Sequence, residues 1–271
     1  MGNDNPRIVL AFDAYGTLLS TQSIAQKLAA HFGDEKAKTI AVTWRKYQLE
    51  YTWRLNSMGL YEDFSAVTRR SLKHALAESS VKLDEKSTEE IMGAYDSLTC
   101  FPDVERTMNG LKSTPDIKAV VFSNGTHKMV STSVKSSPEL SKHANIFQDI
   151  IVVEEVKKFK PAKESYIHLA QKVGKDPKDK KQLGQIWLIS GNPFDVVGAR
   201  AAGLNSIWVD REGNGWQDSL VEGEKGRPTG IVKDLDKALT TVMRIESDEL
   251  TTNWREMHGD VSRHKEVAPK D

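Results

Sequence analysis

Asp13 stands at the end of Arg7-Ile8-Val9-Leu10-Ala11-Phe12, with Gly16 and Thr17 just beyond it. An apolar run of strand length that ends in a carboxylate and a glycine-containing turn places that carboxylate where a buried strand opens into a loop. A carboxylate held there and approached by cations acts as a nucleophile. The plainer reading is a cap, because aspartate also starts turns and helices. Three later segments repeat the arrangement. Val120-Val121-Phe122 runs into Ser123-Asn124-Gly125, whose hydroxyl and backbone N–H groups suit an anionic oxygen, although Asn-Gly is also a strong turn signal. Lys157-Lys158-Phe159-Lys160-Pro161 is a basic cluster in which proline biases Lys160 toward extended geometry and so aims one ammonium away from the solvated lysines. Trp187-Leu188-Ile189 runs into Ser190-Gly191-Asn192-Pro193-Phe194-Asp195, with Asp195 in the first turn of a predicted helix, either as a cap or as a proton acceptor facing Asp13. Four polar motifs at four strand ends on one sheet edge make a more specific pattern than any one of them.

The elements that must carry these residues follow from hydrophobic period. Apolar, β-branched runs predict strands at 7–13, 117–123, 149–153, 185–190 and 206–210. Their near-continuous apolarity fits strands buried on both faces, hence a parallel sheet. Helical patterns at about 128–136, 162–173 and 194–202 separate the last four strands. The expected fold class is therefore α/β, a doubly wound parallel sheet. Residues 21–98 differ in character, dense in helix formers with no strand signal, and predict a helical insertion that folds as a cap over the sheet crest. The expected organisation is a discontinuous core, 1–20 and 99–245, a cap, 21–98, and a polar tail, 246–271, with a surface helix and a disordered end at 261–271.

Composition narrows the function classes. The 271 residues carry 38 basic and 38 acidic side chains, with no basic stripe suited to nucleic acid. No apolar stretch reaches the roughly 18 residues of a membrane span, and the first residues have no signal-peptide pattern, so a cytoplasmic protein without membrane partners is expected. Cys100 is the single cysteine, which rules out an intramolecular disulfide and a zinc–thiolate cluster. No Walker-type phosphate loop is present, and the seven histidines fall in no recognisable nucleophile context.

The four motifs, in this order, resemble those of the haloacid dehalogenase superfamily over roughly residues 7 to 240. The detail is similar to the L-2-haloacid dehalogenase branch. Phosphatases of the superfamily typically carry a second aspartate two residues after the nucleophile, to protonate a leaving alkoxide. Tyr15 holds that position here, and its high intrinsic pKa suits that task poorly. Phosphatases also pair acids in the fourth motif to bind magnesium, whereas Asn192 replaces the first of them. The segment Trp44-Arg45-Lys46-Tyr47-Gln48-Leu49-Glu50-Tyr51-Thr52-Trp53 resembles the cap helix of L-2-haloacid dehalogenases.

The resemblance implies a Rossmann-like core with a cap and hydrolysis of short (S)-2-haloacids to (R)-2-hydroxyacids, without cofactor or metal. It implies that Asp13 displaces halide to form an aspartyl ester, which water then hydrolyses. Thr17 and Lys160 would steady the nucleophile. Asp195 and Lys160 would orient the water, with Ser190 and Asn192 assisting and Tyr166 beside Lys160. Ser123 and backbone N–H groups near Tyr15 and Asn124 would hold the substrate carboxylate. Arg45, Asn124 and Phe194 would cradle the halide, and Tyr15, Leu49 and Phe64 would line the alkyl wall. A homodimer is expected from the resemblance. The alternative within the superfamily is a magnesium-dependent phosphatase of small metabolites.

Overall fold

The computed structural model describes residues 7–21 and 23–258, with the side chains of 253–258 left aside. Six parallel strands form one sheet in the order β3-β2-β1-β4-β5-β6: β1 Ile8–Asp13, β2 Ile117–Ser123, β3 Phe147–Val152, β4 Ile186–Ser190, β5 Asn205–Val209 and β6 Gly230–Val232. This is the doubly wound order in which ligands bind where the winding reverses, here between β1 and β4. Five strands lie within two residues of their expected limits. Strand β6, only three residues long, carries too short an apolar run for the period to show.

Four helices fill the interval between β1 and the rest of the core: α1 Ser23–Phe32, α2 Asp34–Met58, α3 Phe64–Glu78 and α4 Glu85–Tyr95. They form the expected helical cap. The Asp63 carboxylate accepts from Ala66 N–H at 2.8 Å to start α3, and Asp84 does the same for α4 through Ser87 N–H at 2.7 Å. Helix α2 buries Ala37, Ile40, Trp44, Gln48 and Thr52, a spacing of three or four that keeps one face inward. Beside it runs a second stripe, Arg45, Leu49, Trp53 and Asn56, which lies against the crest of the core.

The core helices are α5 Val104–Lys112, α6 His127–Ser136, α7 Pro138–Ser141, α8 Lys163–Lys172, α9 Lys180–Leu183, α10 Pro193–Ala202 and α11 Ala238–His258. Helix α11 runs through the boundary expected at residue 245. Its Glu246 accepts a hydrogen bond from Trp187 Nε1 at 2.9 Å, so the start of the expected tail is packed on the sheet. The expected disordered end, 261–271, lies outside the described residues. Among those described, no helix is long and apolar enough to cross a membrane.

Two aromatic pegs join cap and core. Tyr15, from the loop after β1, packs on Phe64 and Tyr95 at 5.7 and 5.5 Å between ring centres. Phe159, from the loop before α8, sits against Tyr61 and Phe64 at 5.1 and 6.2 Å. Both rings are buried, and burial of each such ring on folding is worth about 2–3 kcal/mol.

Candidate active site

Pairing in register brings the strand ends together. Asp13 lies opposite Phe122, and Phe12 lies opposite Ile189, so the loops after β1, β2 and β4 open at one level. The loops after β1 and β4 nearly touch: a Cβ on Gly191 would fall 2.6 Å from the Gly16 carbonyl oxygen. Gly16 itself has φ +89°, a left-handed geometry that glycine adopts without strain. That close approach puts the side chains of the fourth motif on the carboxylate of the first.

Asp13 is held from four directions. Thr17 Oγ1 donates to Oδ2 at 2.8 Å, Asn192 Nδ2 at 2.7 Å and Ser190 Oγ at 3.3 Å. Lys160 Nζ donates to Oδ1 at 2.9 Å. Thr17 also accepts from Gly191 N–H at 2.9 Å, which ties the two loops. Three donors therefore occupy Oδ2, while Oδ1 meets only the ammonium and keeps lone-pair capacity for attack.

Lys160 is 1 % exposed and lies between two carboxylates, with Asp195 Oδ2 at 2.6 Å on its other side. It also donates to the Phe122 carbonyl at 3.0 Å. Burial works against its charge, but Asp13 and Asp195 outweigh that and push its pKa up, so it stays protonated. Asp195 is fully buried, and desolvation raises its pKa to about 6 although Lys160 pulls the other way. The Tyr166 hydroxyl donates to Asp195 Oδ1 at 2.7 Å. Burial, then the Asp195 charge, raises the Tyr166 pKa well above its ordinary value, so this tyrosine is a neutral donor. Tyr166 therefore serves Asp195 directly and Lys160 through it. One ammonium thus bridges the two acids and ion-pairs with both.

The cap closes over this cluster. Arg45 Nη2 reaches the Tyr15 carbonyl at 3.3 Å and Asn192 Oδ1 at 3.4 Å, and its Nη1 donates to Gln48 Oε1 at 2.7 Å. Asp13, Tyr15, Arg45, Leu49, Phe64, Asn124, Lys160 and Phe194 line a chamber of about 10 Å³. That is room for one water between the cap residues and the crest. Trp53 seals one rim, edge-on to Phe194 at 5.5 Å. On the opposite side Arg45 also borders a groove of about 880 Å³ with Ser20, Thr21, Ser23 and Lys38.

Nearly all the expected site residues converge here. Asn124 lines the chamber, and its Oδ1 also accepts from Lys160 N–H at 2.8 Å. Ser123 is fully buried and does not line the chamber; its Oγ accepts from Gly125 N–H at 3.0 Å, which shapes the loop. Two residues of consequence escaped sequence reasoning. Gln48 holds Arg45, donates to Thr68 Oγ1 at 2.8 Å and accepts from Tyr95 at 2.9 Å. Its signal was a carboxamide on the apolar stripe of α2. Asn56 had no signal beyond its place on the crest-facing stripe.

A doubly wound sheet, an acid at the end of β1, a buried lysine and a helical cap define a capped hydrolase with an α/β core. Comparison with known proteins agrees. A family model for haloacid dehalogenase-like hydrolases matches residues 9–203, and the chain belongs to that family. It is 30% identical over 203 residues to (S)-2-haloacid dehalogenase 4A of Burkholderia cepacia, covering 75% of this chain and 83% of that protein. It is 32% identical over 227 residues to an (S)-2-haloacid dehalogenase of Pseudomonas fluorescens, covering 83% and 91%. Among solved structures, the L-2-haloacid dehalogenase of Xanthobacter autotrophicus with chloropropionic acid covalently bound superposes with TM-score 0.74 at 27% identity, covering 87% of this chain and 98% of that one.

Proposed function

We propose that this protein is an (S)-2-haloacid dehalogenase that converts short 2-haloacids to (R)-2-hydroxyacids through an ester on Asp13. The observation that carries this reading is Lys160, whose ammonium lies 2.9 Å from Asp13 and 2.6 Å from Asp195 beneath a cap arginine. A carboxylate so balanced attacks carbon without a metal. The similarity to 2-haloacid dehalogenases over most of the chain supports the choice of substrate.

In the first step Asp13 Oδ1 attacks C2 of the substrate from the side opposite the halogen. The C–O bond forms as the carbon–halogen bond breaks, halide departs with the bonding pair, and C2 inverts. Arg45 with Asn124 and the Phe194 ring edge receives the halide. Tyr15, Leu49 and Phe64 enclose the alkyl group, while backbone N–H groups of the loops after β1 and β2, with Ser123 behind them, hold the carboxylate. Halide needs no proton to leave, which is consistent with Tyr15 where an acid would otherwise stand.

In the second step water adds to the carboxyl carbon of Asp13. Asp195 accepts its proton, with Lys160, Ser190 and Asn192 stabilising the charge that develops on Asp13. The ester C–O bond on the Asp13 side breaks, the hydroxyacid leaves with a proton, and Asp13 keeps one oxygen from water. On this reading residues 21–98 move as a lid over a core of 1–20 and 99–245, excluding bulk water during displacement.

Halide release from each enantiomer of 2-chloropropionate in excess EDTA tests this. Turnover of the (S)-enantiomer is expected. No release from either, with magnesium-dependent hydrolysis of phosphate esters instead, would replace dehalogenase by phosphatase.

A further inference from the structure

The stripe that α2 lays on the crest ends at Asn56, whose carboxamide pairs reciprocally with the backbone of Phe159. Asn56 Nδ2 donates to the Phe159 carbonyl at 2.6 Å, and Phe159 N–H donates to Asn56 Oδ1 at 3.0 Å. The next residue is Lys160. We propose that Asn56 is a positioning residue: through it the cap sets the backbone from which Lys160 delivers its ammonium to Asp13 and Asp195. This rests on the dehalogenase reading of the site.

The loop before α8 depends on such a tie. Among the described residues, Phe159 N–H has no backbone acceptor, and Phe159 is fully buried, so the carboxamide is what satisfies that donor. Two residues earlier Lys157 has φ 52°, in the left-handed region that a side chain disfavours. Besides Asn56, the loop is held by Lys157 N–H to Val153 O at 3.0 Å, Ser165 Oγ to Lys158 O at 2.7 Å, Lys160 N–H to Asn124 Oδ1 at 2.8 Å and Ala162 N–H to the Phe159 carbonyl at 3.0 Å; that last bond shares the carbonyl with Asn56 and leaves Phe159 N–H to Asn56 alone. The Phe159 ring, clasped by Tyr61 and Phe64, fixes the loop in the same cap pocket.

The geometry downstream is intolerant of displacement. Lys160 Nζ meets three oxygens, on Asp13, Asp195 and Phe122, at 2.6 to 3.0 Å. A backbone shift of about 1 Å would break that set, and misplacements of this size cost up to about 100-fold in rate. Of the chamber wall, Asn124 is tied to this backbone through Lys160 N–H and Phe64 packs on the Phe159 ring, while Tyr15, Leu49 and Phe194 make no hydrogen bond to residues 159–160. Loss of the tie should therefore be felt in kcat and leave KM nearly unchanged.

The test compares wild type with Asn56→Leu, which is similar in size and lacks polar atoms. The readouts are halide release from (S)-2-chloropropionate, and amide hydrogen exchange over residues 157–165. The expected result is a fall in kcat of about tenfold or more, KM within about twofold, and faster exchange at Phe159 and Lys160. Wild-type kcat at a temperature where the variant is folded, or a rise in KM with kcat unchanged, would overturn the proposal. So would unchanged exchange. Should Asn56→Leu fail to fold, Asn56→Ser, too short to reach both backbone groups, decides on the same criteria. A wild type inactive on haloacids would instead sink the dehalogenase reading; the exchange comparison needs no substrate and still decides the tie.

Discussion

Protonation of Asp195 should arrest the reaction halfway. Its pKa is raised to about 6 by desolvation, against an ordinary value of 3.8. A raised acid is protonated below that value and ionised above it, so a base role for Asp195 gains strength as pH rises through about 6 and is lost as pH falls. At pH 7 about nine-tenths of the enzyme carries the ionised base, and at pH 5 about one-tenth does. In the ester Asp13 is uncharged, which removes one of the causes that raise Asp195, so the rate of ester hydrolysis should fall by at most roughly tenfold between pH 7 and pH 5. Displacement of halide uses Asp13 and does not call on this base, so it should continue. Below pH 6 the ester then accumulates, and one equivalent of halide appears in a burst before slow turnover. Rapid mixing with (S)-2-chloropropionate, acid quench and mass measurement of the peptide containing Asp13 would show the adduct. Asp195→Asn should reproduce the low-pH behaviour at every pH, with kcat lower by about 100- to 10,000-fold and the burst retained. A kcat flat from pH 5 to 7, or loss of the burst together with turnover, would refute the assignment of Asp195 to the second step.

Replacing Lys160 by methionine leaves two buried acids without their cation, which should cost roughly 3–5 kcal/mol of stability in urea unfolding at pH 7.5. Proton uptake by Asp195 relieves the repulsion, so the deficit should shrink at pH 5; an equal deficit at both pH values would contradict the ion-triad reading. Gln48→Leu removes one acceptor of Arg45, the acceptor of the Tyr95 hydroxyl and a donor to Thr68 Oγ1, and should lose about 1–3 kcal/mol of stability with a fall in kcat, checked by urea melts and halide release. A single turnover in heavy-oxygen water should place the label in Asp13; label found only in the hydroxyacid would mean that water attacks the substrate carbon directly.

Much of the core was legible before any coordinates. Strands β1 and β4 are apolar up to their last residue, and β2 and β5 are so apart from Lys118, Asn205 and Ser206, because both faces are covered; each ends where polarity returns: Asp13, Ser123, Ser190 and the stretch past Val209. The chemistry sits at those ends, so a local pattern marked it. The cap was visible as seventy-odd residues of helical period, and Arg45 stood out through its surrounding segment. What the linear pattern could not contain was depth and direction. Pro161 set Lys160 apart from Lys157 and Lys158 in sequence, but the buried contact with two acids exists only through the turn of its loop. Gln48 links the cap helices to one another and Asn56 links cap to core, through partners 20 to 103 positions away. The raised pKa of Asp195 is likewise a property of the closed molecule, since full desolvation exists only once the strands, α8 and α10 surround it. The order of the residues therefore determined which groups were available and which strand ends carried them. Tertiary packing decided their charges, their partners and the size of the space between them, because desolvation and hydrogen bonding depend on what lies within a few ångströms and not on separation along the chain.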